Sequence, residues 1–274
     1  MPELPEVEVT RRGIAPHVED RQVTEVILRR EGLRWPFPTG LSELLQQRRV
    51  LSTGRRGKYL LLNFEHGTLI IHLGMSGHLR VLSGSHPPQK HDHVDVVMGE
   101  TRLRLTDPRR FGAVLWHSNE EGDIEQHTLL RHLGVEPLTC EDLGPRLHRE
   151  SRQRSAAIKQ VLLAGDIVVG VGNIYACESL FHARIHPNTA ARRISASRYQ
   201  ALAIEIQRVL AAAIEQGGSS LRDFIGADGQ SGYFQQTYFV YDRESEPCRV
   251  CKTPIKRSVQ GQRSTFYCPV CQKL

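Results

Sequence analysis

Three observations predict an α+β protein of several domains: an antiparallel β-sandwich, then a helical segment, then a small cysteine-bound ribbon. Short apolar or alternating runs succeed one another to about residue 118 with only turn residues between them. From about residue 124 the apolar period becomes helical. Four cysteines then fall as Cys248-x2-Cys251-x16-Cys268-x2-Cys271. Closely spaced strands without intervening helices favour an antiparallel sandwich over a parallel sheet. The chain has 274 residues and is 39% hydrophobic, enough for two or three modest cores. The divisions expected are 1–134 for the sandwich, 135–236 for the helical domain and 237–274 for the ribbon.

Residues 5–13, Pro-Glu-Val-Glu-Val-Thr-Arg-Arg-Gly, put acids in a first turn, bases in a last turn and Gly13 at the stop, which predicts a short helix. Strands are predicted over 57–64, 67–73, 78–82, 93–98, 101–106 and 111–116, separated by Gly, Pro or charged turns. Arg102-Leu103-Arg104-Leu105 alternates as a half-buried strand should. Helices are predicted over 156–163 and 173–181, joined through Gly165-Asp166 and Gly170-Val171-Gly172, with Asn173 as N-cap. Such a cap leaves backbone N–H groups outward where a phosphate can sit, although any helical bundle contains turns of this kind. Leu202, Ile206, Val209, Leu210 and Ala213 share one helical face, which stops at Gly217-Gly218. The Gly-, Ser- and Asp-rich stretch 217–233 is predicted to be a mobile loop, and 237–241 a strand leading into the cysteine module.

No run of about 18 apolar residues exists, as a membrane span would need. Met1-Pro2-Glu3-Leu4-Pro5-Glu6 is acidic where a secretion signal is basic and then apolar, so a cytoplasmic, nucleoid-associated location is expected. Lys and Arg number 36 against 30 Asp and Glu, a formal +6. The surplus is uneven, since 248–274 carries six basic residues and no acid. That asymmetry suits a polyanion, whose phosphates would release counterions on contact; a solvated face on a mildly basic protein is the other reading.

The cysteine spacing delivers four thiolates tetrahedrally, a zinc pattern. Four protein ligands leave no open coordination position, so one structural Zn2+ is expected to hold a β-ribbon too small to fold alone. Arg249, Lys252, Lys256, Arg257 and Arg263 stud that ribbon, which fits gripping DNA; a knuckle used only for protein contacts stays open. Cys140 and Cys177 remain and are expected to be small buried hydrophobes. At the other end, Pro2 becomes a free secondary amine once Met1 is removed. Such an amine, titrating near about 8, can attack an aldehyde-level carbon and give an iminium that acts as an electron sink. A helix N-terminus beside it depresses its pKa, and Glu3 and Glu6 stand close enough to move protons; an acidic start is also simply good helix chemistry.

MPELPEVE at the N-terminus, RRGKYLLL around Lys58, HLGMSG at 72–77, KHDHVD at 90–95, TDPRRFGA at 106–113, VVGVGNIYA at 168–176 and QRSTFYCPVCQK at the end closely resemble bacterial formamidopyrimidine-DNA glycosylases. The seven blocks stand in register along nearly the whole chain. The resemblance implies a helix–two-turns–helix element in the middle domain and DNA lying across the cleft between domains. It also implies a monomer, with no membrane role, that excises oxidised purines from damaged double-stranded DNA and cuts the strand by β,δ-elimination.

By the same resemblance Pro2 is the nucleophile at C1′, Glu3 the acid–base residue that helps open the sugar, and Glu6 its supporting carboxylate. Lys58 is the proton donor of β-elimination, and Arg263 is tied to δ-elimination. His91, Arg109 and Arg154 fall on DNA-contact positions, and Asn173 and Lys159 lie near the phosphate clamp. Met75, Arg109 and Phe111 fill the gap left by the flipped base and face the orphaned cytosine. The chemistry agrees: extruding a stacked base needs an apolar filler and a donor for the partner base. Taken singly, Met75 and Phe111 also read as core residues, Arg109-Arg110 as a solvated pair and Lys58 as a surface lysine. Arg154 stands where the family has lysine; it keeps the charge but binds phosphate as a planar fork. An endonuclease VIII type enzyme for oxidised pyrimidines is the near alternative, disfavoured by Leu4 together with Met75, Arg109 and Phe111. A non-catalytic DNA-binding zinc protein is the distant one, disfavoured by the intact set Pro2, Glu3, Lys58 and Arg263.

Overall fold

The computed structural model describes residues 2–218 and 237–274. Among these, 2–131 with 216–218 form one compact unit, and 132–215 with 237–274 form another. The expected loop at 217–233 lies outside the described residues from 219 onward.

The first unit opens with helix α1 (Leu4–Val18). It does not stop at Gly13. Ile14 and Val18 are fully buried on its inner side, and this burial outweighs both the glycine and Pro16 inside the last turn. Strands β1 (Glu25–Leu28), β6 (Asp92–Met98), β7 (Thr101–Thr106) and β5 (His78–Ser83) form one antiparallel sheet in the order β1-β6-β7-β5. Strands β2 (Ser52–Arg56), β3 (Tyr59–Phe64), β4 (Gly67–His72) and β8 (Ala113–Ser118) form the other, in that order. Leu60, Leu62, Leu69, Ile71 and Val114 from one sheet and Leu79, Val94, Val96, Leu103 and Leu105 from the other belong to one apolar core. This is the sandwich the alternation predicts. Helix α2 (Leu41–Leu45) adds Leu41 and Leu45 to the core. It, β1 and β2 were not expected: each has only four or five residues, and Ser-Thr-Gly-Arg-Arg shows no apolar alternation.

The second unit carries α3 (Leu143–Ser151), α4 (Ile158–Ala164), α5 (Asn173–His182) and α6 (Ala196–Glu215), then a hairpin of β9 (Lys256–Gln260) and β10 (Arg263–Tyr267). Helix α3 was not expected. Helix α6 buries Leu202, Ile206, Val209, Leu210 and Ala213, the stripe read in the sequence, and Tyr199 besides. Residues 237–241 are not a strand. The Glu178 carboxylate on α5 accepts the N–H groups of Phe239, Val240 and Tyr241 at 2.8–2.9 Å, so a side chain takes the place of a neighbouring strand. Burial pushes the Glu178 carboxyl up, and these three N–H groups oppose the shift. Cys177 is buried as expected, but Cys140 is only half-buried and donates from its thiol to Asp142 at 3.2 Å.

Candidate nucleic-acid interface and metal centre

Glu3 is the N-cap of α1 and Glu6 its third helical residue. The Glu3 N–H donates to Glu6 Oε2 at 2.8 Å and the Glu3 carboxylate accepts the Glu6 N–H, a reciprocal capping box. Both carboxylates sit at the positive end of the helix dipole, with only 2% and 1% of their residues exposed. Pro2, also buried, directly precedes them. Gly218 approaches from the far end of the unit: a Cβ there would stand 3.3 Å from Glu6 Oε1.

Lys58 is not in a strand but in the two-residue turn Gly57-Lys58 that joins β2 to β3. Gly57 takes φ +57°, as a hairpin turn opening on glycine requires. Two residues that sequence reasoning passed over, Arg34 and His72, join Lys58. Burial, then the Lys58 and Arg34 charges, hold the His72 imidazole down at about 4, so the ring is neutral at pH 7. The His72 ring lies 4.9 Å from that of Tyr59, and Arg34 sits 4.8 Å above the Trp35 ring. A signal existed, since His72 opens the HLGMSG block.

Met75 is 38% exposed and Phe111 51%, among the few large apolar side chains at the surface. That excludes the core reading for both. Arg109 is exposed too, with Nη1 3.9 Å from Met75 Sδ, so two separate loops bring the three together. His91 is half-buried in the turn before β6. Its connection is held from below by Arg104, whose guanidinium donates to the His86 and Pro87 carbonyls and to Asp92 and Asp95.

In the second unit three expected contacts change character. Lys159 is fully buried, and its ammonium donates to Thr265 Oγ1 at 2.6 Å and to the Ser264 carbonyl at 3.2 Å. It ties α4 to β10 instead of facing a phosphate, because desolvating an ammonium demands such acceptors. Asn173 is the first residue of α5 and not its cap, a place taken by Gly172. Its Nδ2 donates to the same Ser264 carbonyl at 2.9 Å. Arg154 spends its fork on Asp166, at 3.1 and 2.8 Å, instead of standing free. Arg263 is exposed just after the tight turn Gly261-Gln262, one residue from the anchored Ser264.

The four cysteine sulfurs lie within 4.8 Å of one another. Cys251 and Cys268 are 3.4 Å apart and Cys248 and Cys271 3.9 Å, far beyond any disulfide. A zinc ion about 2.3 Å from each of four tetrahedral sulfurs needs them about 3.8 Å apart. Backbone N–H groups of Val250 and Cys271 donate to the Cys248 and Cys268 sulfurs, each at 3.4 Å, as they do around thiolate ligands. Burial, then the other three thiols, raise the Cys271 thiol, so the cluster asks for a cation before all four ionise. The set holds one structural zinc.

The sandwich, the α4–α5 pair with its two intervening turns and the four-thiol hairpin define a zinc-ribbon protein of the helix–two-turns–helix class. Profiles of the formamidopyrimidine-DNA glycosylase N-terminal domain, its H2TH domain and the zinc finger found in FPG and IleRS match residues 1–114, 133–225 and 245–274. Formamidopyrimidine-DNA glycosylases of Janthinobacterium sp. (strain Marseille) and Herminiimonas arsenicoxydans are 69% and 66% identical over 273 residues, covering all of both chains. The crystal structure of MutM (Fpg) from Thermus thermophilus superposes with a TM-score of 0.88 at 37% identity, over 99% of this chain and 98% of that one. A Lactococcus lactis Fpg mutant in complex with Fapy-dG-containing DNA gives 0.92 at 30% identity over the whole of both chains. This chain belongs to the formamidopyrimidine-DNA glycosylase family. Among the described residues no helix is long and apolar enough to cross a membrane.

Proposed function

We propose that this protein is a base-excision repair glycosylase that removes oxidised purines, 8-oxoguanine and formamidopyrimidines, from duplex DNA and then cuts the strand as an AP lyase. The observation that carries the reading is the N-terminal corner. Pro2, a secondary amine once Met1 is removed, precedes two buried carboxylates interlocked at a helix N-terminus, in a family whose relatives bear the glycosylase name.

With Met1 removed, the Pro2 nitrogen attacks C1′ of the extruded nucleoside and the damaged base departs. Glu3 moves the proton that opens the sugar, and Glu6 holds Glu3 in place through its backbone N–H. The iminium acidifies the neighbouring sugar proton, so the 3′ phosphate leaves by β-elimination with Lys58 as proton donor. The 5′ phosphate leaves by δ-elimination with Arg263 at the DNA. Met75 and Phe111 occupy the vacated stack, Arg109 reads the orphaned cytosine, His91 steadies the backbone, and Asn173 and Arg154 join it once DNA draws them from Ser264 and Asp166. Lys159 serves from inside, fixing the strand that carries Arg263. Zinc, held by Cys248, Cys251, Cys268 and Cys271, supplies folding energy to the ribbon. The three-part division at 134 and 236, action as a monomer and a cytoplasmic, nucleoid-associated location complete the proposal.

The test is borohydride reduction during turnover of 8-oxoguanine DNA, followed by mapping of the adduct. A covalent link at Pro2 is expected. A link elsewhere, or full-speed nicking by protein that retains Met1, overturns the mechanism, and a preference for thymine glycol overturns the substrate class.

A further inference from the structure

The geometry points to Asp107 as a positioning residue that sets Met75, Arg109 and Phe111 in register as one rigid probe of the duplex, with Ser76 as its bridge. The proposal rests on the role given above to those three side chains. They come from two connections some thirty residues apart, one between β4 and β5 and one between β7 and β8. Nothing local in either loop can fix its position relative to the other.

Asp107 is fully buried between them and bonds in both directions. Its Oδ1 accepts the Ser76 hydroxyl at 2.9 Å, and its Oδ2 accepts the Gly112 N–H at 2.8 Å. The Ser76 oxygen in turn accepts the Arg109 N–H at 3.2 Å. The Asp107 N–H donates to the His91 carbonyl at 3.0 Å, while its own carbonyl accepts the Arg110 N–H at 3.3 Å and lies 2.9 Å from His93 Nε2. Each exposed side chain is therefore anchored at, or one residue from, an atom of this network: Met75 beside Ser76, Arg109 at its own N–H, and Phe111 beside Gly112.

The backbones also touch. Gly74 takes φ +63°, and a Cβ there would fall 2.5 Å from the Gly112 nitrogen and the Phe111 carbonyl carbon. Arg110 is held at φ +59°, unfavourable for a non-glycine residue, in the turn that lies between Arg109 and Phe111. A carboxylate suits this hub because it accepts on both oxygens at once; an amide offers one acceptor and sets a donor against an N–H. Opposite-base discrimination needs a reader whose position does not relax to suit the wrong base. The Asp107–Ser76–Arg109 chain ties that reader to the loop that fills the gap.

The experiment uses the full-length zinc-bound protein and its Ser76→Ala, Asp107→Asn and Met75→Ala variants. It measures single-turnover excision of 8-oxoguanine opposite C and opposite A, and cutting of a single-stranded abasic oligonucleotide, which has no partner base to read. Loss of one bridging bond in Ser76→Ala is expected to slow duplex excision about tenfold and to narrow the C-over-A preference, with single-strand cutting unchanged. Asp107→Asn is expected to do more; if it does not fold, Ser76→Ala decides. Ser76→Ala that keeps both the duplex rate and the base preference overturns the proposal, and so does an equal loss on all three substrates, which marks a merely structural role. Should Met75→Ala also leave duplex excision untouched, the reading of the exposed trio fails instead.

Discussion

In the sandwich, two four-stranded sheets close over a continuous apolar core to which almost every strand contributes. The C-terminal ribbon has two five-residue strands, and Cys248 and Cys268 themselves are part of the small cluster beneath them, with Cys177, Phe181, Val240, Ile255 and Phe266. One region is held by area removed from water, at about 1.5–3 kcal/mol per buried aliphatic side chain. The other has too little area and substitutes a metal and a few directed polar bonds. The difference teaches where each region breaks: the sandwich yields gradually to cavities, whereas the ribbon fails all at once.

The largest expected effect is therefore at the metal. Cys268→Ser, or chelation of the wild-type protein, forfeits binding energy of order 10 kcal/mol. The 248–274 segment should become protease-sensitive with loss of stoichiometric zinc while the sandwich stays folded, as limited proteolysis with metal analysis would show. A ribbon that stays protected without zinc would break the comparison. Next comes the sandwich itself: Leu62→Ala, at a fully buried position, should cost about 3 kcal/mol in denaturant unfolding and leave zinc content unchanged. Third is the polar hold on the ribbon's approach. Glu178→Gln keeps the shape but turns an amide donor toward one of the three N–H groups, so a loss of about 2 kcal/mol is expected, expressed as easier cleavage around 239–241.

The smallest effect concerns α1 and is read by pH. Burial raises the Glu8 carboxyl, but hydrogen bonds from Arg11 and Arg12 and the charges of Arg11 and Arg55 prevail and hold it at about 2, below the usual 4.5. A depressed carboxyl stabilises the fold above its unfolded pKa, so this contribution is complete above pH 4.5 and disappears as the pH falls toward 2. Glu8→Gln should lower stability by about 1 kcal/mol at pH 7 and flatten the melting curve across that acid window. An unchanged acid slope in the variant would remove Glu8 from the account.

The two halves of the candidate interface differ in legibility for a related reason. Pro2, Glu3 and Glu6 lie close together in sequence where α1 begins, and the four cysteines are two short knuckles, so local spacing alone proposes their geometry. The resemblance alone put Lys159 near the phosphate clamp, and Thr265 and Ser264, more than a hundred residues later, take its ammonium inside. Arg154 likewise found Asp166, and residues 237–241 lost their strand to a carboxylate on α5.

By itself the sequence determined the strand and helix periods of the longer elements, the zinc ligand set and the family, because periodicity, knuckle spacing and contiguous motifs are properties of neighbours along the chain. Tertiary structure alone decided that α1 runs through Gly13, that the Lys159 ammonium is buried against β10, and that Asp107 joins the loops of Met75 and Phe111. Those outcomes depend on what stands across a gap in space, and a burial or a hydrogen bond between distant segments leaves no period to read.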